Sequence, residues 1–205
     1  MIRLLICRHG QSAADLEPRC IEGNGDFPLT DLGFRQAEAL AAWLAPRRRP
    51  DRILTSPLLR ARQTAEAISA ATGVPFRVEQ RLAERSNGRL AGLTPQEADQ
   101  QFPTQHPVPM HHRPPGGESY LDLYRRITEF WCLLHADGSL DGQTLLLVSH
   151  GGAIQALMQA ALGLPPGAPA GFPTGDTGLH ELCFDPGGKV RLVRYNYTVH
   201  LEGLV

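Results

Sequence analysis

One pattern occurs twice in this chain: a run of large apolar residues ends in a histidine followed by a glycine. The first copy spans residues 4–10, with the sequence LLICRHG, and the second spans residues 145–151, with the sequence LLLVSHG. Apolar runs of this length are typical of strands that are buried on both faces of a parallel sheet. Ligands bind at the carboxyl ends of such strands in open α/β folds. We therefore expect His9 and His150 to emerge on the same rim of a sheet.

The rest of the chain alternates between short apolar runs and longer segments with helical periodicity. Strands are predicted at residues 4–7, 52–55, 76–82 and 144–149, with a final strand pair at 179–185 and 189–195. Helices are predicted from the cap signal at Thr30 to residue 46, from Ser56 to Gly73, and at residues 119–135 and 151–162. This alternation predicts a three-layer α/β/α sandwich with a mainly parallel central sheet.

Residues 85–117 interrupt this alternation, since they are rich in Pro, Gly, Gln and His. We expect an insertion over one edge of the sheet, of the kind that often carries substrate specificity. No internal repeat, low-complexity tract or linker divides the sequence. Residues 1–205 are therefore predicted to form a single domain.

Composition narrows the functional classes. Twenty basic residues stand against 21 acidic ones, a net charge of -1, so no basic footprint for nucleic acid or an anionic membrane surface is present. The apolar run at the N-terminus is too short for a signal peptide, and no stretch reaches the length of a bilayer span. The scattered cysteines are typical of reduced thiols rather than of a zinc site or a disulfide framework; they are Cys7, Cys20, Cys132 and Cys183. We expect a cytoplasmic protein with no nucleic-acid or membrane partner.

Charged residues follow the predicted strands at the same rim. Arg8 closes the first strand, and the strand at 52–55 leads into a helix whose first turns carry Arg60. Arginine presents a planar fork that matches phosphate oxygens and keeps its proton. The strand at 76–82 ends close to Glu84, a natural candidate for a general acid. These residue types favour a site for a phosphate ester.

The motifs resemble those of the histidine phosphatase superfamily, whose best-known branch is the phosphoglycerate mutase-like proteins. They occur in the family's order: RHGQS at 8–12, PLTDLG at 28–33, SPLLRARQTA at 56–65, LAE at 82–84, GGES at 116–119 and SHGG at 149–152. A lone RHG is a weak signal, whereas the complete ordered set is specific. The resemblance implies a phosphoglycerate mutase-like fold, and a phosphoryl transfer that uses neither a metal nor a cofactor.

The resemblance also implies a role for each matching residue. His9 would be the nucleophile, and Arg8, Arg60 and a protonated His150 would surround the transferring phosphoryl group. Glu84 would protonate the leaving oxygen and then take a proton from the attacking water. Glu118 is the second candidate for this acid, although we favour a structural role for it at a helix start. The implied substrate contacts are Gln11, Ser12, Asp15, Gly23 and Gly151.

Three positions depart from the family's pattern. Asp15 stands where the family usually has Asn, and its carboxylate would repel a phosphate dianion unless Arg19 or another cation neutralises it. Gln11 replaces a more usual Glu, and Ala91 followed by Gly92 replaces a usual Glu-Gly. We expect an intact catalytic set with non-standard selectivity.

Mutases and phosphatases of this family share the phosphohistidine and differ in what receives the phosphoryl group. This chain is compact and reads His-Gly-Gly at 150–152, where the mutases tend to read His-Gly-Asn, so we predict a phosphatase and keep a cofactor-dependent phosphoglycerate mutase as the alternative. The sequence does not separate broad-specificity phosphomonoesterases, sugar-bisphosphatases and the cobalamin-pathway phosphatase. A non-catalytic phospho-ligand binding protein is disfavoured because nucleophile and acid are both present, and a P-loop enzyme because GxxxxGK[ST] is absent. The expected partner is a small-molecule phosphate ester, and a homodimer stays open.

Overall fold

The computed structural model describes residues 1–16, 26–185 and 187–204. Within them, six strands form one sheet: β1 Ile2–Arg8, β2 Arg52–Thr55, β3 Phe76–Val78, β4 Thr144–Ser149, β5 Leu179–Phe184 and β6 Val190–Tyr197. Their order in the sheet is β3-β2-β4-β1-β5-β6. Strands β1 to β4 run parallel to one another, and β5 and β6 extend the sheet at the β1 side in antiparallel fashion.

Helices cover both faces of the sheet: α1 Asp31–Arg47, α2 Leu59–Thr72, α3 Pro95–Gln101, α4 Tyr120–Ala136 and α5 Gly151–Ala161. Alternate residues of a strand point to opposite faces, and each face has its own apolar cluster. Leu5 of β1 packs in one cluster with α1 and α2, whereas Leu4 packs in the other with α4 and α5. The predicted three-layer α/β/α sandwich is therefore confirmed. Among the described residues no helix is long and apolar enough to cross a bilayer.

Local sequence explains where several helices begin and end. The hydroxyl of Thr30 accepts the N–H of Gly33 and caps α1 as predicted. Ser119 caps α4 in a capping box with Asp122. Gly73 ends α2 with a φ of 70°, a left-handed conformation that glycine adopts readily.

Two predicted boundaries are wrong. Helix α2 begins at Leu59 rather than at Ser56. The Oγ of Ser56 accepts the N–H of Leu58 and so stabilises a turn ahead of the helix. The strand predicted to reach residue 82 ends at Val78. There the carboxylate of Glu79 accepts the N–H of Arg81 and turns the chain into a short 3₁₀ helix.

The predicted insertion at residues 85–117 contains a 3₁₀ turn and α3. Its two ends are tied together, since the N–H of Arg89 donates to the carbonyl of Pro115 at 2.9 Å. Gly88 is required at this closure: its φ is +54°, and a Cβ there would lie 2.2 Å from the carbonyl oxygen of Pro115. The segment therefore leaves and rejoins the fold directly beside Glu84.

The described cysteines are free thiols. Cys7 and Cys183 are buried in β1 and β5, and Cys132 is exposed on α4, whereas Cys20 lies outside the described residues. Burial raises the pKa of Cys7 to about 12, so this side chain is a neutral part of the core.

Candidate active site

His9 directly follows β1 and is fully buried. Its Nδ1 lies 2.7 Å from the carbonyl oxygen of Gly10, and because a carbonyl only accepts, Nδ1 carries the proton. The lone pair of the ring is then on Nε2, which accepts a hydrogen bond from Nε of Arg60 at 3.1 Å. The nucleophilic position of this imidazole is therefore Nε2.

Helix α2 holds the loop that orients His9. Thr64 is fully buried; its Oγ1 accepts the N–H of Gly10 at 3.1 Å and donates to the carbonyl of Arg60 at 2.8 Å. Gly10 also touches the start of α1, where a Cβ at Gly10 would lie 2.5 Å from the carbonyl oxygen of Gly33. Sequence reasoning missed Thr64, since nothing in a helical threonine signals a bond to a strand end.

His150 follows β4 and precedes the first residue of α5. Its ring centroid lies 5.0 Å from that of His9, so the structure brings the two histidines together at the expected rim. Nε2 of His150 lies 2.6 Å from Oγ of Ser56, a contact that the sequence did not reveal. Nδ1 is buried and has no hydrogen-bond partner among the described residues. A buried ring nitrogen of this kind is suited to bind an oxygen of a ligand.

Burial lowers the pKa of His9 well below its usual range, and the charges of Arg60 and Arg8 lower it further. Burial likewise lowers the pKa of His150, with additional contributions from His9 and the nearby arginines. Both shifts favour the neutral form of the rings. A protonated His150 around a bound phosphate stays a prediction of the resemblance. A neutral His9 is the form that can attack phosphorus.

Arg60 lies in the first turn of α2 and is fully buried, with Nε against His9. Water therefore does little to weaken its charge. A guanidinium at this position can stabilise negative charge that develops next to Nε2.

Arg8 is held by two carboxylates. Its Nη2 lies 2.9 Å from Oδ1 of Asp15, and its Nη1 lies 3.6 Å from Oδ1 of Asp176. Nη1 also donates to the carbonyl of Thr174 at 3.3 Å. The cation that neutralises Asp15 is thus Arg8; Arg19, named as a candidate from the sequence, lies outside the described residues.

Asp176 was missed because it precedes an antiparallel strand. The start of β5 lies beside the end of β1, where Cys7 pairs with Leu179, so the loop before β5 reaches the same rim. Burial raises the pKa of Asp176, partly opposed by the charge of Arg8.

The predicted substrate contacts of the first motif have partners within the protein. The side-chain oxygen of Gln11 accepts the hydroxyl of Thr30 at 2.9 Å. Ser12 is fully buried, and its N–H and hydroxyl both donate to Oδ2 of Asp15, at 2.6 and 2.8 Å. These bonds shape the loop, and the substrate contacts of Gln11 and Ser12 stay predictions. Gly23 lies outside the described residues.

Glu84 lies at the N-terminus of α5, the helix that follows His150. Its Oε1 accepts the N–H of Arg85 and its Oε2 accepts the N–H of Gly152, both at 2.8 Å. Gly151 opens this helix, and a Cβ built on it would have no atom of the described residues within 4 Å beyond its own helix and chain neighbours. A Cβ on Gly152, by contrast, would lie 2.5 Å from Oε1 of Glu84.

A cavity of about 310 Å³ adjoins this carboxylate, lined by Leu58, Gln80, Ala83, Glu84, Ser86, Glu118 and Arg126. Glu118 forms an ion pair with Arg126 at 2.8 Å, and α4 is capped by Ser119 instead. This ion pair supports the structural role favoured from the sequence, with an arginine as the partner rather than the helix dipole.

The arrangement combines a neutral imidazole nucleophile, a second imidazole, buried positive charge and a carboxylate. Phosphoryl transfer needs mainly positioning and stabilisation of charge on the phosphate oxygens, which these groups can supply. Among residues 1–16, 26–185 and 187–204, no group of three or more His, Cys, Asp or Glu is placed to hold a metal ion. The fold and this set of groups fit a phosphoryl-transfer enzyme that uses histidine.

The chain belongs to the histidine phosphatase superfamily, branch 1, whose family profile matches residues 4–198. It is 36% identical over 163 residues to the bifunctional protein Rv2228c of Mycobacterium tuberculosis; the match takes in 78% of this chain and 44% of that relative, so the chain spans less than half of its length. It is 36% identical over 171 residues to the glucosyl-3-phosphoglycerate phosphatase of Mycolicibacterium vanbaalenii, covering 80% of this chain and 75% of the relative.

The chain is also similar to a mutase and to a hydrolase of known structure. The 2,3-bisphosphoglycerate-dependent phosphoglycerate mutase of Beijerinckia indica is 34% identical over 172 residues, which cover 80% of this chain and 82% of the mutase. Among solved structures, mycobacterial hydrolase 1 superposes with a TM-score of 0.84 at 32% identity, over 97% of this chain and 99% of the other. Phosphatases and mutases are thus both among the proteins that this chain resembles.

Proposed function

We propose that this protein is a metal-independent phosphatase that hydrolyses small-molecule phosphomonoesters through a phosphohistidine on His9. The observation that carries the proposal is the state of the His9 ring. Its proton is fixed on Nδ1 by the carbonyl of Gly10, and the Nε2 lone pair lies beside Arg60 and opposite His150. A fixed tautomer and nearby donors are what a nucleophilic imidazole needs.

In the first step, Nε2 of His9 attacks phosphorus and the bond between phosphorus and the ester oxygen breaks. Arg60 and Nδ1 of His150 stabilise the charge on the oxygens of the transferring group. Glu84, in its protonated form, gives its proton to the leaving oxygen, and the alcohol departs. The products of this step are phosphohistidine and the Glu84 carboxylate.

In the second step, the Glu84 carboxylate takes a proton from a water molecule, whose oxygen attacks phosphorus. The bond between phosphorus and Nε2 breaks, which returns the lone pair to His9 and releases inorganic phosphate. Glu84 is protonated again and ready for the next ester. One carboxylate therefore serves as acid and base in turn.

The surroundings of Gly152 support the phosphatase over the mutase alternative. The Glu84 carboxylate occupies the space that a side chain at position 152 would take, since a Cβ would lie 2.5 Å from Oε1. An asparagine at this position would displace the carboxylate, so this site is built around Glu84 and a glycine. Because a phosphoglycerate mutase is among the relatives, mutase activity is the alternative to be tested.

We also propose that residues 1–205 form one histidine phosphatase domain, with 85–117 as a specificity insertion. The family profile over residues 4–198 and the closure of the insertion beside Glu84 support this organisation. A cytoplasmic location is supported by the exposed free thiol of Cys132, since such thiols persist in reducing compartments.

The test uses p-nitrophenyl phosphate, and separately 3-phosphoglycerate with catalytic 2,3-bisphosphoglycerate, always with excess chelator. We expect inorganic phosphate to be released despite the chelator, and the rate to fall by about 10³-fold or more in His9→Ala. Glu38→Ala, at an exposed position of α1, is the control and should behave like the unaltered protein. Isomerisation of phosphoglycerate without release of phosphate would favour the mutase, and phosphate binding without turnover would favour a binding protein.

A further inference from the structure

Outside the catalytic set, Glu118 and Arg126 form a two-pronged ion pair beside the cavity. Nε and Nη2 of Arg126 donate to Oε1 and Oε2 of Glu118, at 3.0 and 2.8 Å. Both side chains are mostly shielded, with exposed fractions of 20% for Arg126 and 26% for Glu118. A planar guanidinium that faces both carboxylate oxygens is held in one orientation, unlike a single exposed contact.

The third nitrogen of this guanidinium is bonded to the chain just before Glu84. Nη1 of Arg126 donates to the carbonyl of Arg81 at 2.6 Å and to that of Ala83 at 3.1 Å. The intervening carbonyl, that of Leu82, accepts the hydroxyl of Ser149 at 2.8 Å. Three successive carbonyls ahead of the general acid are thus fixed by side chains.

Glu118 holds the chain just after the general acid. Its Oε2 accepts the N–H of Ser86 at 3.1 Å, and its own N–H donates to the carbonyl of Ser86 at 2.7 Å. The ion pair is therefore hydrogen-bonded to the backbone on both sides of Glu84. Helix α4 carries Arg126 and packs in the core, so these hydrogen bonds anchor the Glu84 segment to a rigid element.

We propose that Arg126 and Glu118 are positioning residues for Glu84. The inference rests on the proposed function, because it concerns the proton that Glu84 gives to the leaving oxygen. A displacement of about 1 Å in a catalytic group can lower a rate about a hundredfold. Neither residue needs to touch the substrate for this effect.

The chemistry of the leaving group provides a selective readout. A weakly basic phenolate departs without help, whereas a strongly basic one needs its proton from Glu84. The ratio kcat/KM reports only the steps up to the first irreversible one, which here is transfer to His9, so the later attack by water does not obscure the effect. A plot of log kcat/KM against the basicity of the leaving phenol therefore measures the contribution of the acid.

The experiment measures kcat/KM for a series of aryl phosphates of rising phenol basicity, with the unaltered protein, Glu84→Gln and Arg126→Met. We expect Arg126→Met to lose about a hundredfold for the most basic leaving group and less than about threefold for the least basic, which makes the slope steeper as in Glu84→Gln. In the Glu84→Gln background, Arg126→Met should leave the slope unchanged. Arg194→Met is the control, since Arg194 pairs with Glu181 across β5 and β6 at 2.8 Å, on the antiparallel side of the sheet.

A uniform loss across the series, or a slope equal to that of the unaltered protein, would overturn the inference. Should Arg126→Met not fold, Glu118→Gln replaces it, with the same expected steepening and the same contrary outcomes. Failure of the proposed function is distinguishable, because it would appear as turnover independent of His9 or as a slope that Glu84→Gln does not change.

Discussion

Nε of Arg60 donates to Nε2 of His9 at 3.1 Å, so the buried cation lies on the lone pair that must attack phosphorus. Attack therefore requires Arg60 to exchange this bond for one to a phosphate oxygen. A charged oxygen is a stronger acceptor than a neutral imidazole, which favours the exchange when a phosphate ester is bound. Arg60 thus keeps the ring oriented before binding and stabilises the phosphoryl group afterwards.

Arg60→Lys tests this dual role. Lysine keeps the charge but lacks the planar fork, so we expect kcat/KM to fall about a hundredfold, measured with p-nitrophenyl phosphate. Arg62→Lys, two residues further along α2, is the control and should change kcat/KM by less than about twofold. Equal activity of Arg60→Lys and the unaltered protein would show that charge alone suffices.

Asp15→Asn tests the effect of the carboxylate that pairs with Arg8. Removing this charge lessens the repulsion of a phosphate dianion and weakens one of the two carboxylate contacts that hold Arg8. We expect the inhibition constant of inorganic phosphate to fall by a few-fold, equivalent to about 1 kcal/mol at an effective dielectric constant near that of a protein surface. A rise of the inhibition constant would show instead that Asp15 is needed to orient Arg8.

The rim where the site lies could be predicted from the sequence, because each parallel strand brings its last residues to the same edge. His9, Arg8, Arg60, Glu84 and His150 all follow or end such strands, and the structure brings them to one rim. Their catalytic roles stay predictions until the experiments above are done. The fold followed from the same signal, since apolar runs alternate with capped helices.

The remaining contacts depend on tertiary geometry that no local pattern encodes. Asp176 reaches Arg8 because β5 is antiparallel and starts where β1 ends. Ser56 looked like a helix cap, yet its hydroxyl lies against His150. Arg126 is separated from the carbonyl of Ala83 by more than forty residues, and only the docking of α4 brings the two together.

Gly152→Asn tests the space around Glu84. Because even a Cβ would lie 2.5 Å from Oε1, the carboxylate must move, and the N–H bond from residue 152 is lost. We expect kcat/KM for phenyl phosphate to fall about 10²-fold or more, with p-nitrophenyl phosphate affected less. Gly138→Ala, where the added Cβ has no atom of the described residues within 4 Å apart from its chain neighbours, is the control. Unchanged kinetics in Gly152→Asn would argue against Glu84 as the acid.

Ser56→Ala tests the hydrogen bond to His150. Oγ of Ser56 accepts the N–H of Leu58, and we expect its own proton to be donated to Nε2 of His150. His150 then holds its proton on Nδ1, from which it can donate to a phosphate oxygen. The variant should lose about tenfold in kcat and about 1–3 kcal/mol of unfolding free energy, because a buried nitrogen is left without a partner. Rates measured with p-nitrophenyl phosphate and urea unfolding curves check both effects; loss of stability alone would restrict Ser56 to packing.

Acid should destabilise the protein through its buried histidines. Burial lowers the pKa of His180 to about 4, and an imidazole of the unfolded chain titrates near about 6.5. Between these pH values the unfolded chain binds more protons than the folded chain. The contribution of neutral His180 to the unfolding free energy is therefore complete above about pH 6.5. It is lost as the pH drops towards 4, by up to about 1.4 kcal/mol per pH unit. Urea unfolding across this pH range should show that the unfolding free energy declines less steeply in His180→Gln than in the unaltered protein. The exposed control His106→Gln should decline as the unaltered protein does. Equal pH slopes in all three proteins would contradict the lowered pKa of His180.

The most direct measurement identifies the phosphorylated atom. The protein is mixed with p-nitrophenyl phosphate in chelator, quenched in alkali within one turnover, and examined by mass spectrometry and ³¹P NMR. We predict an acid-labile phosphoryl group on Nε2 of His9, absent in His9→Ala. Turnover that proceeds at an unaltered rate without phosphate on this ring, or with phosphate on another residue, would contradict the account.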